Sequence, residues 1–136
     1  MTLTFHHVAI SVADIDRSVA FYSQLGFQTV LEWTADDNSL KIIHMKLGTS
    51  VLELFCYTSH FASPQSTLSL DTDLPVLGVK HFGLRTASIK DMYSRLKNIG
   101  YTPTTEIREG RTGVSYFFIK DPDGMYIEIV QDDRGL

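Results

Sequence analysis

The 136-residue sequence contains a single cysteine, Cys56, and this scarcity excludes one class of fold. One thiol cannot form a disulfide within the chain, so the protein is not a disulfide-stapled scaffold. Unpaired thiols are typical of reducing compartments, and the N-terminus lacks the basic start and cleavage site of a secretory signal. We therefore expect a cytoplasmic protein. Because Cys56 lies in an apolar run, a buried and unreactive thiol is favoured over a nucleophile.

Clusters of positive charge and long apolar runs are also missing. The 12 Lys and Arg residues are scattered and outnumbered by 16 Asp and Glu residues, which gives a formal net charge of -4. Nucleic-acid binding requires clustered basic side chains, so we expect no nucleic-acid partner. No apolar run is long enough to span a bilayer, so we expect no membrane partner either. The hydrophobic fraction of 43% is instead typical of a globular domain.

An internal repeat is the most informative feature that the sequence does contain. Residues 6–27 align without gaps onto residues 80–101, and the elements that follow come in the same order. Each copy begins with an alternating strand and a helix that ends at a glycine, and it continues with three further strands. The sequence therefore predicts an α+β fold in which two tandem βαβββ modules form one domain over residues 1–136. Module 1 covers residues 4–57, module 2 covers residues 78–131, and a linker covers residues 58–77.

Capping and turn residues predict where the elements begin and end. Asp14 and Ser88 are natural N-caps for the two helices, and Gly26 and Gly100 terminate them. In module 1 we expect strands near residues 4–12, 28–34, 40–47 and 50–57. In module 2 we expect strands near residues 79–87, 103–108, 114–119 and 125–131.

The repeat places two kinds of ionisable residue at equivalent positions. His7 and His81 share a position in the first strand of each copy, and Glu53 and Glu128 share one in the last strand. Because strand side chains alternate between faces, the apolar neighbours of each glutamate should pack beneath the helices and leave the carboxylates on the other face. If a pseudo-twofold axis relates the modules, the four side chains converge on one cavity. Two imidazoles and two carboxylates suit Ni²⁺, Zn²⁺, Co²⁺, Mn²⁺ or Fe²⁺, so the sequence predicts one divalent metal.

The remaining candidates have weaker signals. Aromatic strand residues either wall a substrate pocket or form ordinary core. His6 should face away from His7, and His44 is interpreted as solvent-exposed because it shares a strand face with a lysine. The charged run from Arg108 to Arg111 is interpreted as the surface of a hairpin, with closure over a substrate as the alternative. The aromatic pocket candidates are Trp33, Tyr57, Tyr116 and Phe118.

Several of these segments together resemble the vicinal oxygen chelate superfamily, which includes glyoxalase I, fosfomycin and bleomycin resistance proteins, extradiol dioxygenases and methylmalonyl-CoA epimerase. The resemblance runs from about residue 5 to residue 130, and it is closest to glyoxalase I because epimerases have Gln where this chain has Glu53. The segments that carry it are HHVAISV with His7, AFYSQLGF, LELF with Glu53, KHFGLRT with His81 and DPDGMYIEIV with Glu128.

The resemblance implies a fold, a ligand set and an activity. Its members have paired βαβββ modules, often from two subunits, whose curved and partly closed sheet encloses a metal. It implies that His7, Glu53, His81 and Glu128 are the metal ligands and that the chain forms a homodimer. It further implies a lyase or isomerase acting on a small carbonyl compound, with Glu128 as the catalytic base and Glu53 as its catalytic partner.

The sequence also departs from the glutathione-dependent members. Those proteins have an Arg four residues after the first ligand and commonly an Asn four residues after the second, where this chain has Ser11 and Tyr57. Both family residues hold glutathione, so their replacement argues against glutathione as a cosubstrate. Arg85 is the repeat-equivalent of Ser11, and we expect it either to bind a substrate carboxylate or phosphate or to form a surface salt bridge at the rim. Ser11, Tyr57 and Arg85 are therefore the predicted substrate-binding positions beside the aromatic residues.

Three alternative functions stay open. An Fe(II) dioxygenase would use only His7, His81 and Glu128. A transferase of the fosfomycin-resistance kind would bind an anionic substrate near the metal. A drug-binding protein of the bleomycin-resistance kind would need no metal, which the retention of all four ligand-type residues argues against.

Overall fold

The computed structural model describes residues 2–135, and the chain forms two compact units divided between residues 63 and 64. Each unit contains one βαβββ module, so the predicted α+β fold class is confirmed. The eight strands form two open four-stranded sheets, one per module, rather than one partly closed sheet. Among the described residues no helix is long and apolar enough to cross a membrane.

Module 1 follows the predicted boundaries closely. Strand β1 (His7–Ser11) pairs parallel to β4 (Ser50–Tyr57), and β4, β3 (Leu40–Leu47) and β2 (Gln28–Thr34) pair antiparallel in the order β1-β4-β3-β2. Strands β2 to β4 have the predicted bounds, whereas β1 is shorter than expected. Strands β1 and β2 are consequently the two edges of this sheet.

The helix of module 1 decides which sheet face stays open. Helix α1 (Ile15–Gln24) is capped by Asp14, whose carboxylate accepts a hydrogen bond from the Arg17 amide at 3.0 Å. The helix contacts β4, and its buried Tyr22 belongs to the same core as Leu52 and Leu54. Burying each such side chain stabilises the fold by about 1.5–3 kcal/mol. Because side chains alternate along β4, the residue between the two leucines lies on the opposite face.

Module 2 repeats this topology with shorter strands. The elements are β5 (Phe82–Arg85), α3 (Ile89–Asn98), β6 (Arg108–Glu109), β7 (Ser115–Lys120) and β8 (Tyr126–Gln131). The strand order is β5-β8-β7-β6, β5 is parallel to β8, and helix α3 contacts β7 and β8. Ile127 and Ile129 of β8 are buried, as the equivalent leucines of β4 are.

The expected strand at residues 103–108 is wrong, because only Arg108 and Glu109 pair as a strand. Pro103 has no amide hydrogen to donate to a ladder. Beyond it, the Thr104 amide donates to the Phe118 carbonyl at 2.8 Å. The Thr104 hydroxyl donates to the same carbonyl at 3.2 Å, and the Thr105 hydroxyl accepts from the Phe118 amide at 3.1 Å. One backbone hydrogen bond and two hydroxyl contacts thus attach this segment to β7 in place of the regular ladder of a strand.

The segment predicted as a linker contains helical structure at its end. A 3₁₀ helix covers Gln65–Leu68, and a single-turn helix, α2, covers Leu70–Asp73. The carbonyl of Leu68 accepts hydrogen bonds from Lys120 at 3.1 Å and from the Tyr126 hydroxyl at 3.3 Å. The buried Asp73 forms an ion pair with Lys80 at 3.2 Å. These contacts attach the second half of the linker to module 2.

Candidate metal and substrate site

Module 1 brings His7 and Glu53 together on the face of the sheet that the helix leaves open. Glu53 lies opposite Ala9 in the β1–β4 register, two residues along the strand from His7. The His7 Nε2 lies 3.5 Å from the Glu53 Oε2. The carboxylate is largely covered, with 18% of its side chain exposed, whereas the imidazole is 44% exposed. One oxygen of a shielded carboxylate therefore faces an accessible imidazole.

Module 2 repeats this pair. His81 lies just before β5, and its Nε2 is 3.3 Å from the Glu128 Oε2. Gly83 lies opposite Glu128 in the register, so no side chain intervenes between the two strands at this point. The ring of His81 meets Phe118 edge to face at 5.0 Å, and its Nδ1 is buried without a hydrogen-bond partner. The predicted equivalence of the two pairs is therefore present in the geometry.

A second histidine, His44, also contacts Glu53, and this contact was not predicted. His44 lies directly opposite Glu53 in the β3–β4 hairpin, and its Nε2 is 2.8 Å from the Glu53 Oε1. His44 was expected to be solvent-exposed, and the structure has it half-buried, with 29% of its side chain exposed. The sequence held the necessary signal, since the tight turn pairs Leu47 with Ser50 and counting back from it pairs His44 with Glu53.

The donor atoms of both pairs suit a divalent ion of borderline softness. Each module contributes one imidazole nitrogen and one carboxylate, which are common ligands of Zn²⁺, Co²⁺, Ni²⁺, Mn²⁺ and Fe²⁺. Within either unit of the described chain, no three His, Cys, Asp or Glu side chains are placed to hold one ion. One module alone therefore does not complete a ligand set, and the convergence of all four residues stays a prediction.

A cavity of about 650 Å³ opens in module 2 beside the His81–Glu128 pair. Its volume falls within the usual range of small-molecule sites, roughly 300–1,000 Å³. Tyr116 and Phe118, two predicted pocket residues, are part of its wall, although their role in binding stays a prediction. The other lining residues are Ser69, Leu70, Asp71, Leu74, Thr104, Thr105, Arg108, Gly110, Arg111, Thr112, Val114 and Tyr126.

Two groups of these lining residues were missed by the sequence interpretation. Ser69, Leu70, Asp71 and Leu74 come from the segment interpreted as linker, where a helix of four residues gives no periodic signal. Arg108 and Arg111 come from the charged run interpreted as hairpin surface.

Comparison with known proteins decides the family. The sequence profile of the Glyoxalase/Bleomycin resistance protein/Dioxygenase superfamily matches residues 4–129. The chain belongs to this superfamily. Over 130 residues the chain is 27% identical to YwkD of Bacillus subtilis strain 168, and the alignment covers 94% of this chain and 96% of that protein.

Solved structures of the superfamily have the same fold. The glyoxalase family protein of Enterococcus faecalis superposes with a TM-score of 0.79 at 27% identity, covering 93% of this chain and 96% of that one. The trypanothione-dependent glyoxalase I of Leishmania major superposes with a TM-score of 0.69 at 22% identity, covering 92% and 84%. The second likeness concerns the fold alone.

The substrate-binding residues predicted in module 1 do not line the cavity of module 2. Trp33 of β2 and Tyr57 at the end of β4 are exposed, and Ser11 ends β1 beside Phe55. Their assignment as substrate-binding residues stays a prediction.

Arg85 is engaged by the chain that follows β8. It shares the sheet face of Gly83, and its Nη2 donates to the Asp132 carbonyl at 2.6 Å. The Asp132 carboxylate accepts hydrogen bonds from Arg134, which hold the pKa of Asp132 well below its usual value. Arg85 is not among the residues that line the cavity, and its predicted role in substrate binding stays a prediction.

Proposed function

We propose that the protein is a metal-dependent enzyme of the glyoxalase I type that moves a proton between neighbouring carbons of a small carbonyl compound. One observation carries the proposal: a histidine and a glutamate at repeat-equivalent positions come within 3.5 Å in module 1 and 3.3 Å in module 2. A duplicated pair of this kind provides two imidazoles and two carboxylates, which is the donor set of a single divalent ion.

His7, Glu53, His81 and Glu128 would hold the ion, with both modules contributing from one chain or from two. When bound, a divalent ion acts as a Lewis acid that stabilises negative charge on a substrate oxygen while a proton leaves the adjacent carbon. Each of the two carboxylates is largely shielded from water. Because burying a carboxylate without a compensating positive charge is costly, a bound divalent ion would stabilise both. The proposal does not include glutathione, because Ser11 and Tyr57 replace the residues that hold it in the family.

The surroundings of the two glutamates support different roles in the proton transfer. Glu53 has one oxygen bound by His44 at 2.8 Å, whereas Glu128 lies opposite Phe118, which offers no hydrogen bond. Glu128 is therefore the carboxylate that can take a proton from carbon, leaving the electron pair of the broken C–H bond in the substrate's carbonyl system. A protonated Glu53 gives a proton to the neighbouring carbon, and proton exchange with water returns both carboxyl groups to their starting states. The isomerisation therefore needs no external oxidant or reductant.

The test is solvent exchange at carbon in the metal-reconstituted protein. The protein is stripped of metal, reloaded with each candidate ion and incubated in D₂O with a panel of 2-oxoaldehydes and α-hydroxyketones, and deuterium incorporation is followed by NMR. We expect metal-dependent incorporation that Glu128→Gln reduces by about 10²–10⁴-fold, the usual contribution of a general base. Metal binding should persist in that variant, since three ligands remain.

A matched control separates this effect from a general loss of charge. Glu106 accepts a hydrogen bond from the Tyr93 hydroxyl at 2.9 Å and does not line the cavity. Glu106→Gln should therefore leave exchange unchanged. Full exchange activity in Glu128→Gln would show that the assignment of the base is wrong.

The contact between His44 and Glu53 also favours a second candidate. If His44 keeps Glu53 out of the ligand set, His7, His81 and Glu128 remain, which is the two-histidine, one-carboxylate set of non-haem Fe(II) oxygenases. An electrode assay with catechol as the probe distinguishes the two functions. Iron-dependent oxygen uptake supports the dioxygenase, and deuterium exchange without oxygen uptake supports the isomerase.

We also propose that the protein is a homodimer. All seven residues of the edge strand β2 are exposed, including Val30, Leu31 and Trp33. An exposed edge strand with apolar side chains is a surface that proteins usually cover. Light scattering after size-exclusion chromatography tests this, and a mass of about one chain at micromolar concentration would contradict it.

A further inference from the structure

We propose that the cavity of module 2 contains a subsite for an anionic group of the substrate, a carboxylate or a phosphate, formed by Arg108 and Arg111. The inference rests on the proposed function and deepens it, because it names the chemical class of the substrate. Four features of the described residues carry it: the alternation of β6, the turn that follows, the charges around the cavity, and the distance to Glu128.

Strand alternation sends the positive side chain of β6 into the cavity and the negative one away. Arg108 pairs with Tyr116 of β7, and both line the cavity. The next residue, Glu109, pairs with Ser115 and accepts a hydrogen bond from the Ser115 hydroxyl at 2.7 Å. Because successive strand residues point to opposite faces, Glu109 is not available to neutralise Arg108 in the cavity.

The turn that carries Arg111 is well defined by its neighbours. The Gly113 amide donates to the Gly110 carbonyl at 3.0 Å, and the Gly110 amide donates to the Val114 carbonyl at 2.7 Å. A Cβ at Gly110 would lie 3.2 Å from a methyl group of Val114, so the close packing of this turn depends on glycine. Arg134 also donates to the carbonyl of Thr112 at 3.1 Å. Arg111 is thus presented at the cavity from an anchored turn.

The charges around the cavity leave two cationic groups for a ligand. Neither Arg108 nor Arg111 has an ion-pair partner among residues 2–135, and the glutamate in the cavity, Glu128, is paired with His81. Asp71 is the other carboxylate in the wall, and among the described residues it forms no ion pair with either guanidinium. A guanidinium binds the two oxygens of a carboxylate or phosphate in a fork geometry, which is stronger than a hydrogen bond between neutral groups.

The register of the sheet also sets the size of the substrate. Glu128 pairs with Phe118, Tyr116 lies two residues along the same strand, and Tyr116 pairs with Arg108. From the usual strand spacing and rise, the Cα atoms of Glu128 and Arg108 are about 12 Å apart. Because both side chains extend from the same sheet face, one short substrate can reach the carboxylate of Glu128 and the guanidinium of Arg108 together. The substrate class is therefore a short carbonyl compound bearing one carboxylate or phosphate.

The test is anion binding to metal-free protein, followed by NMR of backbone amides. Protein treated with a chelating resin is titrated with inorganic phosphate and, separately, with acetate, at ionic strength held constant with chloride. We expect saturable shifts at Arg108, Gly110, Arg111 and Gly113. Arg108→Gln combined with Arg111→Gln should weaken binding by about tenfold or more, since charge-assisted hydrogen bonds are lost.

Two further variants keep the result interpretable. Arg95→Gln removes one positive charge from the exposed surface of α3, outside the cavity, and should bind both anions as the unmodified protein does. Replacing Arg108 and Arg111 together by Lys keeps the charge, preserves solubility and should give intermediate affinity. If the glutamine double variant does not fold, equal affinity of the lysine variant and the unmodified protein would contradict recognition by a guanidinium fork.

The outcomes assign or overturn the subsite. Saturation by phosphate alone assigns a phosphate-bearing substrate, saturation by acetate alone assigns a carboxylate, and saturation by both assigns shared oxyanion recognition. Absence of saturation by either anion, or binding that the arginine substitutions leave unchanged, overturns the proposal. The measurement uses neither metal nor turnover, so failure of the deuterium-exchange assay would reject the proposed function and leave this result intact, and the reverse also holds.

Discussion

The two modules place the same His–Glu pair in different surroundings. In module 1 the residue opposite the glutamate is His44, which binds Glu53 at 2.8 Å; in module 2 the equivalent residue is Phe118, which contacts the ring of His81 instead. The backbone around both glutamates is the same, with parallel pairing on one side and a hairpin on the other. The duplicated backbone therefore places the carboxylate of Glu53 against a polar side chain and the carboxylate of Glu128 against an apolar side chain.

The edges of the two sheets differ as well. Strand β2 of module 1 has seven residues and an apolar exposed surface, whereas β6 of module 2 has two residues and carries Arg108. The short strand and its turn form part of the cavity wall, which module 2 builds together with the end of the linker. We infer from this contrast that both modules contribute ligands to the proposed ion, while module 2 also supplies the base and the substrate subsite.

The largest expected effect is on the free energy of unfolding, and it tests whether the two cores contribute equally to stability. Leu54 and Ile129 are repeat-equivalent and almost fully buried beneath their sheets. Truncation of a buried Leu or Ile to Ala costs about 2–5 kcal/mol, because a cavity remains. We expect Leu54→Ala and Ile129→Ala each to lower the free energy of unfolding by an amount in this range, measured by chemical denaturation. A loss below about 1 kcal/mol in either variant would break the equivalence of the two cores.

The shared frame is also where sequence reasoning succeeded. Alternation along VLELF and YIEIV predicted that Glu53 and Glu128 lie opposite their buried apolar neighbours, and the structure has Leu52, Leu54, Ile127 and Ile129 in the core. The caps at Asp14 and Ser88 and the positive φ angles of Gly26 and Gly100 also follow the repeat. These features are local in sequence, so a pattern of a few residues is enough to predict them.

The errors arose where a partner strand or a tertiary contact decides the outcome. His44 lies on the strand face of Lys46, as alternation predicts, but its contact across the hairpin with Glu53 was missed. Arg108 lies on the exposed β6–β7 hairpin, as its charged run indicates, but its place in the cavity wall depends on contacts with residues distant in sequence. The helix at Leu70–Asp73 is held by module 2 rather than by its own propensity, so its position beside the cavity could not be predicted.

A smaller effect is expected from exchanging the residues that distinguish the two sites. His44→Phe gives Glu53 the apolar neighbour that Glu128 has, and we expect metal affinity to fall by about 10–100-fold, the usual effect of removing a partner that orients a ligand. Phe118→His gives Glu128 a hydrogen-bond partner, and we expect slower deuterium exchange with metal affinity unchanged or higher. Metal titration and the D₂O assay measure the two quantities separately.

A further variant at this position distinguishes a positioning role of His44 from a purely structural role. His44→Gln keeps a hydrogen-bond donor near Glu53 and should restore part of the metal affinity that His44→Phe loses. Affinity that is the same in all three proteins would show that the contact with Glu53 does not orient a ligand.

The smallest expected effect concerns the helix caps. The Asp14 carboxylate accepts from the Arg17 amide at 3.0 Å, and the Ser88 hydroxyl accepts from the Asp91 amide at 3.4 Å. Removing an N-cap side chain costs about 0.5–2 kcal/mol. We expect Asp14→Ala to lower the free energy of unfolding more than Ser88→Ala, because its hydrogen bond is shorter and charge-assisted. A larger loss for Ser88→Ala in chemical denaturation would contradict this ranking.

The most direct test of the proposed metal site is to identify the protein atoms that coordinate a bound ion. Crystals of protein reconstituted with Ni²⁺, Zn²⁺, Co²⁺, Mn²⁺ or Fe²⁺ in turn, with anomalous diffraction recorded at each absorption edge, would identify the ion and its ligands. The duplication predicts one ion with the imidazoles of His7 and His81 and the carboxylates of Glu53 and Glu128 each about 2 Å away. An ion bound by one module alone, or four side chains more than about 5 Å from any common centre, beyond any coordination bond, would contradict it.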